Sequence, residues 1–184
     1  MTTHRWCVPF TLAVTALVGC TDEPTAPAEP PTHALHGVGH HIAASAVGAG
    51  RWTIPPEVFG VTVDNVLAFS AIELNNGAIH GHISYTQTVE GEAFRFQARV
   101  TCVAVYGDGT RAKYGGVVEQ SNDATIPVGT FMWFQAIDNG KGPSAPADQS
   151  TIAGFGDEAA NEAFCASDAP PVRIFDIEGA IHIR

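Results

Sequence analysis

Short runs of β-branched and aromatic residues, separated by clusters of Gly, Asn and Asp, make up the chain from residue 37 to residue 184. Within several runs apolar and polar positions alternate, which is the period of a half-buried strand. Only residues 157–165, where acidic residues precede alanines, favour a short helix. The pattern predicts a mostly β domain, a single antiparallel sandwich or barrel-like meander with at most that one helix.

The clearest predicted hairpin joins residues 66–74 to residues 78–87 through the turn Asn75, Asn76 and Gly77. An Asn followed by a Gly accepts positive φ at low cost, which favours a tight turn. Side chains alternate along the second strand, so one face is predicted to be buried and the other polar. The apolar set is Ile79, Gly81, Ile83 and Tyr85, opposite His80, His82, Ser84 and Thr86.

The most regular alternation places six side chains on one side of a strand: Phe94, Phe96, Ala98, Val100, Cys102 and Ala104. This alternation predicts that Cys102 points into the core. Further strands are predicted at residues 111–120, 130–137 and 180–184. The run at 130–137 is apolar on both faces, which is typical of a central, covered strand.

An apolar stretch follows His4 and Arg5 near the N-terminus, too short to span a bilayer and interrupted by Pro9. This arrangement predicts a signal peptide over residues 1–19. The stretch ends in Leu17, Val18, Gly19 and Cys20, which resembles the lipobox of bacterial lipoproteins. The resemblance implies cleavage before Cys20 and lipidation of its thiol. The alternative is an ordinary secreted protein with a free Cys20.

The segment at residues 20–36 is rich in proline and has no periodic apolar pattern, which predicts an extended tether between a membrane and the domain at 37–184. The predicted location is therefore the cell envelope, lipid-anchored on the extracytoplasmic side of a membrane. The formal net charge is −10 at pH 7. A surface of that sign repels phosphate backbones, so nucleic acid is not expected as a partner.

Two cysteines remain in the domain once Cys7 and Cys20 are assigned to the leader and the lipid: Cys102 and Cys165. In an exported protein two such cysteines most simply form a disulfide. The chain-entropy model gives a loop of that length about 4 kcal/mol of stabilisation. Two buried free thiols are the alternative.

A loop at residues 138–148 contains the oxygen-bearing side chains of Asp138, Asn139 and Asp148 beside glycines. Ca²⁺ prefers several carboxylate and carbonyl oxygens at short range, so these three residues are candidate ligands. The spacing differs from that of an EF-hand, and Lys141 adds a positive charge. The alternative is a loop whose Asp and Asn side chains bond their own backbone.

Histidines form two groups, one near the end of the tether and one on a strand face: His33, His36, His40 and His41, and His80 with His82. Two imidazoles at positions i and i+2 could reach one Zn²⁺ or Cu²⁺ ion, although neither group has an evident third ligand. The alternative to metal binding is that these histidines are polar residues on a solvent-exposed face. Trp52, Phe59 and Tyr114 could stack on sugars or a partner protein, or belong to the core or rim.

Several short segments together resemble a set of β domains in secreted bacterial proteins that includes the post-COAP domains. They are Gly37, Gly39 and His40; Ala68, Phe69, Ser70 and Ala71; Asn75 to Gly77; Gly81 to Tyr85; Cys102; Asp138 to Gly140; and Gly179 to Ile183. The final strand of that family often reads Gly, Asn, Ile, and Ala180 stands in place of the Asn here. The resemblance implies an extracytoplasmic β fold and carries no established activity.

The sequence contains no G-x-S-x-G elbow, no H-E-x-x-H motif and no Gly-rich phosphate loop. We therefore expect a non-enzymatic, lipid-anchored envelope protein whose β domain has a binding or structural role. Its expected partners are the membrane through the anchor, and an envelope protein or a polysaccharide. The alternative function is a Ca²⁺-dependent binding protein or hydrolase that uses the loop at 138–148.

Overall fold

The computed structural model describes residues 41–142, 144–168 and 170–184. Its strands are β1 (Ile42–Ile54), β2 (Val63–Leu74), β3 (Ile79–Val89), β4 (Glu92–Tyr106), β5 (Arg111–Ser121), β6 (Phe131–Ile137), β7 (Gln149–Thr151), β8 (Gly154–Gly156), β9 (Ile174–Asp176) and β10 (Glu178–Ile183). The helices of this part are α1 (Pro56–Phe59) and α2 (Glu158–Ala166). The predicted signal peptide at 1–19, with Cys20, and the tether at 20–36 lie outside the described residues.

All strands belong to one antiparallel, nearly closed barrel-like sheet, in the order β10-β1-β2-β3-β4-β5-β6-β7-β9. Strand β8 pairs with β6 beside this path. From β1 to β7, each strand pairs with the next one along the chain, which is a meander. The prediction of a mostly β, barrel-like meander is confirmed.

The β2–β3 hairpin turns at the predicted Asn75 to Gly77 segment. The Gly77 N–H donates to the Leu74 carbonyl at 2.8 Å, and the Leu74 N–H donates to Ala78 at 2.9 Å. Gly77 has a φ of 79°, the left-handed conformation that closes a three-residue hairpin loop. Both strands are longer than predicted.

The interior of the barrel is filled by aromatic side chains. The Tyr114 ring packs between Phe69 and Phe134, with ring centroids 4.6 and 4.9 Å apart respectively. Further along, the Phe96 ring lies between those of Tyr85 and Phe155. Because these rings occupy the centre, the barrel has a packed core.

A bulge in β4 overturns the predicted orientation of Cys102. Val100 pairs with Gly116 but Cys102 pairs with Gly115, so Thr101 is an extra residue in the strand. Before the bulge Val100 is buried in the core, and after it Val103 is buried instead. The prediction that Cys102 points inward is therefore wrong, because one inserted residue exchanges the two faces.

The structure also contains one helical turn that the sequence pattern did not predict, α1. It spans four residues, begins after Pro55, and ends at Gly60, which has a φ of 80°. Proline near the first turn and glycine just after the last are typical of helix boundaries. This turn connects β1 to β2 at one end of the barrel.

Candidate ligand cavity beside helix α2

Helix α2 packs against the outer face of β4, β5 and β6. It begins at Asp157, whose carboxylate accepts the N–H of Ala160 at 2.8 Å and caps the N-terminus. Asn161 and Cys165 are four residues apart and share the face turned toward the sheet. The Asn161 amide donates to the hydroxyl of Thr101, the bulge residue, at 3.2 Å.

Cys165 on α2 and Cys102 on β4 lie with their sulfur atoms at disulfide distance. Their Cα atoms are 6.5 Å apart, within the range that disulfides span, although 63 positions separate them in sequence. The two cysteines predicted to pair therefore lie together, on the outer face rather than in the core. The pair holds the helix against the sheet.

Lys113 on β5 holds the other end of the helix. Its side chain is 1% exposed, and Nζ donates to the carbonyl and, at 2.9 Å, to the hydroxyl of Ser167, the residue that follows α2. The ammonium also lies 5.4 Å from the Tyr106 ring centroid and 5.5 Å from that of Phe164. A cation at a helix C-terminus is favourable, and here the sheet supplies it.

A cavity of about 420 Å³ opens between α2, β6 and the two segments that precede and follow the helix. Its apolar wall contains Trp133, Ile152, Ala153, Gly154, Phe164, Pro170 and Val172. Its polar wall contains Gln135, Thr151, Ser167 and Arg173. A largely apolar concavity of this size with a few polar groups is typical of small-ligand sites.

The walls of the cavity are fixed by contacts behind them. Gln135 is buried, and its side-chain amide oxygen Oε1 accepts the Tyr106 hydroxyl at 2.8 Å. Trp133 lies against β8 so closely that a Cβ at Gly154 would be 2.5 Å from the indole nitrogen. Gly154 thus makes room for the indole. These two wall residues are therefore held in place before a ligand binds, which lowers the entropic cost of binding.

Sequence reasoning did not find this cavity. Lys113 reads as one more polar position of an alternating strand, and nothing local shows that α2 covers it. The sign that could have indicated a covered outer face is the run at 130–137, which is apolar on both faces. Trp133 and Gln135 are the outward residues of that run.

Comparison with known proteins gives no match. No family model matches the chain, and neither the curated proteins nor the solved structures show a similar protein. The resemblance to lipobox-bearing lipoproteins and to post-COAP domains therefore remains a prediction from the sequence.

A larger but more open groove of about 490 Å³ lies on the outer face of β10, β1, β2 and β3. Its floor includes small side chains from neighbouring strands, among them Ala49, Ala68 and Ala180. Its surface is almost entirely apolar, although the residues that line it include Ser70, His82, Ser84 and His182. The cavity beside α2 is the better candidate because it is more enclosed and combines apolar walls with directed polar groups.

The predicted calcium ligands have another role at the seam of the barrel. Asp148 accepts the N–H of Asn139 at 2.8 Å through one carboxylate oxygen and the N–H of Ile181 at 2.7 Å through the other. Asp138 accepts the N–H groups of Gly140, at 2.9 Å, and Ile183, at 3.2 Å. Each carboxylate oxygen already has a backbone donor. Calcium binding by Asp138, Asn139 and Asp148 remains an untested prediction.

The described histidines of the predicted groups lie apart from the cavity. His80 and His82 are exposed on the outer face of β3, and Arg99 is the cross-strand neighbour of His82 on β4. His33, His36 and His40 lie outside the described residues, and His41 is exposed. Within the described ranges, no group of three His, Cys, Asp or Glu side chains is arranged to hold a metal ion.

Two of the three aromatic residues considered for stacking belong to the core. Trp52 and Tyr114 are 5% and 0% exposed. Phe59 on α1 is 42% exposed, and the Arg173 guanidinium lies 5.2 Å from its ring centroid.

Among the helices that the structure describes, none is long and apolar enough to cross a membrane.

Proposed function

We propose that this chain is a lipid-anchored cell-envelope protein whose β domain binds a small ligand in the cavity beside α2. The observation that carries this proposal is a mainly apolar cavity with Trp133, Gln135 and Arg173 in its wall. The packed barrel interior supports this, because it leaves the outer surface as the place for a ligand. The proposed role is binding, not catalysis.

The anchoring part of the proposal is supported by the N-terminal sequence. The Leu17 to Cys20 motif ends an apolar stretch and precedes the proline-rich tether at 20–36. Two or three acyl chains on Cys20 hold a protein on a bilayer far more firmly than one. The ligand is then a free molecule of the envelope, or the exposed end of an envelope protein or polysaccharide.

Intact mass spectrometry of the detergent-extracted protein tests the anchor. We expect a chain that begins at Cys20 and carries the added mass of a diacylglycerol thioether. We expect the Cys20→Ser variant to lack the added mass of the diacylglycerol group. An unmodified Cys20, or cleavage at another position, would contradict the anchor.

Titration with N-phenyl-1-naphthylamine, a neutral apolar fluorophore, tests the cavity. Val172 lies in the wall and is 75% exposed, so Val172→Trp narrows the entrance without disturbing the core. Val128 is 64% exposed and is not part of the cavity wall, so Val128→Trp is the matched control. Both are made in the full chain with Cys20→Ser.

We expect Val172→Trp to weaken binding of the fluorophore and Val128→Trp to leave the affinity unchanged. Equal affinities in both variants and the parent would show that the fluorophore binds elsewhere. That result would overturn the cavity as the ligand site.

A further inference from the structure

Among the described residues, the wall of the cavity contains a single charged side chain, and it is a cation. Arg173 is the charged side chain in the wall, and no Asp or Glu belongs to the described residues that form it. This arrangement is notable in a chain that carries 19 acidic residues against 9 basic ones. Asp168, the acidic residue nearest in sequence, is exposed and is not part of the wall.

A second cation lies directly behind the wall. The buried Lys113 ammonium donates to the Ser167 hydroxyl, and Ser167 lines the cavity. Both structural salt bridges of the described residues lie elsewhere and involve Arg51 and Arg99, so no carboxylate in that part of the chain pairs with Lys113. A positive charge buried in a low-dielectric wall attracts anions more strongly than one in water.

We propose that the cavity binds an apolar monoanion, a molecule with an aromatic or aliphatic body and one carboxylate. The body would pack against the apolar wall that Trp133 and Phe164 form together, their ring centroids 6.0 Å apart. The carboxylate would lie toward Arg173, because a guanidinium is a suitable donor for it. The Ser167 hydroxyl accepts from Lys113 and already donates to the Phe164 carbonyl at 3.0 Å. This inference rests on the proposed function, because it names the ligand class of the same site.

Three probes with one phenylbutyl body and different charges test the inference: 4-phenylbutyrate, 4-phenylbutanol and 4-phenylbutylamine. Their affinities are measured by calorimetry on the full chain with Cys20→Ser. We expect the carboxylate to bind about fivefold more tightly than the alcohol, and the amine to bind most weakly.

Charge changes at the rim provide the second readout, because residue 172 is exposed and tolerates either sign. We expect Val172→Glu to weaken 4-phenylbutyrate binding and Val172→Lys to strengthen it, each by about threefold. The alcohol should bind both variants alike. Val128→Glu, the matched control, should leave all three affinities unchanged.

The outcomes separate the inference from the proposed function. Equal affinities of the three probes, with binding still weakened by Val172→Trp, would overturn the anion preference and leave the cavity as a ligand site. No binding of any probe to the folded chain would overturn both.

Discussion

The Asp148 carboxylate accepts the backbone N–H of Ile181 at 2.7 Å, a contact that joins the two ends of the sheet. Ile181 belongs to β10, whose other edge pairs with β1. Backbone donors along a free strand edge need partners, and an exposed edge invites pairing with another chain. In the part of the chain that the structure describes, the edge of β10 that faces away from β1 has no neighbouring strand along its length. The carboxylates of Asp148 and Asp138 accept its backbone N–H groups instead and so close the barrel.

Replacing Asp148 with Ala should destabilise the fold by about 3 kcal/mol, because two hydrogen bonds to a charged acceptor are lost. Urea unfolding measures the change, with Glu162→Ala on the exposed face of α2 as the control. We expect Asp148→Ala to lower the free energy of unfolding by the same amount in chelator and in Ca²⁺. A loss seen only with Ca²⁺ present would make the loop at 138–148 a calcium site, as the alternative function requires.

Removing the hydroxyl from each of two buried tyrosines should change the stability of the fold in opposite directions. The Tyr85 hydroxyl donates to the Asn65 side chain, so Tyr85→Phe should cost about 1 kcal/mol. The Tyr114 hydroxyl is buried with no partner among the described residues, so Tyr114→Phe should stabilise the fold by about 1 kcal/mol. Thermal unfolding of both variants checks the pair. Destabilisation of the fold by Tyr114→Phe would contradict the conclusion that the Tyr114 hydroxyl has no hydrogen-bond partner in the described part of the chain.

Alkaline pH should unfold the domain through the same two side chains. Burial raises the pKa of Tyr85 and of Tyr114 above the ordinary value of about 10. Their contribution to stability is complete below about pH 10 and is lost as the pH rises, because the unfolded chain ionises first. These two tyrosines lower the free energy of unfolding by up to about 2.7 kcal/mol per pH unit. Tyr106, whose pKa burial also raises, adds to this fall.

Urea unfolding at several pH values between about 9 and 11 measures this slope. Tyr114→Phe removes one of the titrating tyrosines, so the free energy of unfolding of that variant should fall less steeply with pH. An unchanged slope in that variant would show that other groups control the alkaline transition.

Loss of the cysteine pair should release α2 from the sheet. The double variant Cys102→Ser, Cys165→Ser should be less stable by about 4 kcal/mol, the chain-entropy value for the 63-residue separation. Reductant should lower the stability of the parent to that of the double variant and leave the variant unchanged. A parent insensitive to reductant would indicate that the thiols are unpaired.

The sequence predicted those features of the fold that depend on local pattern. Alternation identified the long strands, and the Asn75 to Gly77 turn placed the hairpin. Strand β1 was not delimited, because its glycines and alanines give little apolar signal. Their smallness is a tertiary requirement: a Cβ at Gly48 would lie 2.7 Å from the Phe69 ring.

The bulge in β4 was missed, although the sequence carries a sign of it. Val103 and Val105 are out of phase with Val100, which a single extra residue explains. The cavity depends on contacts between distant elements, such as Lys113 with Ser167, 54 positions apart. No local pattern predicts such a contact, so the site could be found only in three dimensions.

The most direct test of the proposed ligand site is the indole N–H spectrum of the ¹⁵N-tryptophan-labelled full chain with Cys20→Ser. The chain has three tryptophans, Trp6, Trp52 and Trp133, and Trp→Phe variants assign their signals. We predict that 4-phenylbutyrate shifts the Trp133 signal in a saturable manner and leaves that of Trp52, inside the barrel, unchanged. An unchanged Trp133 signal at high probe concentration would contradict the proposed ligand site.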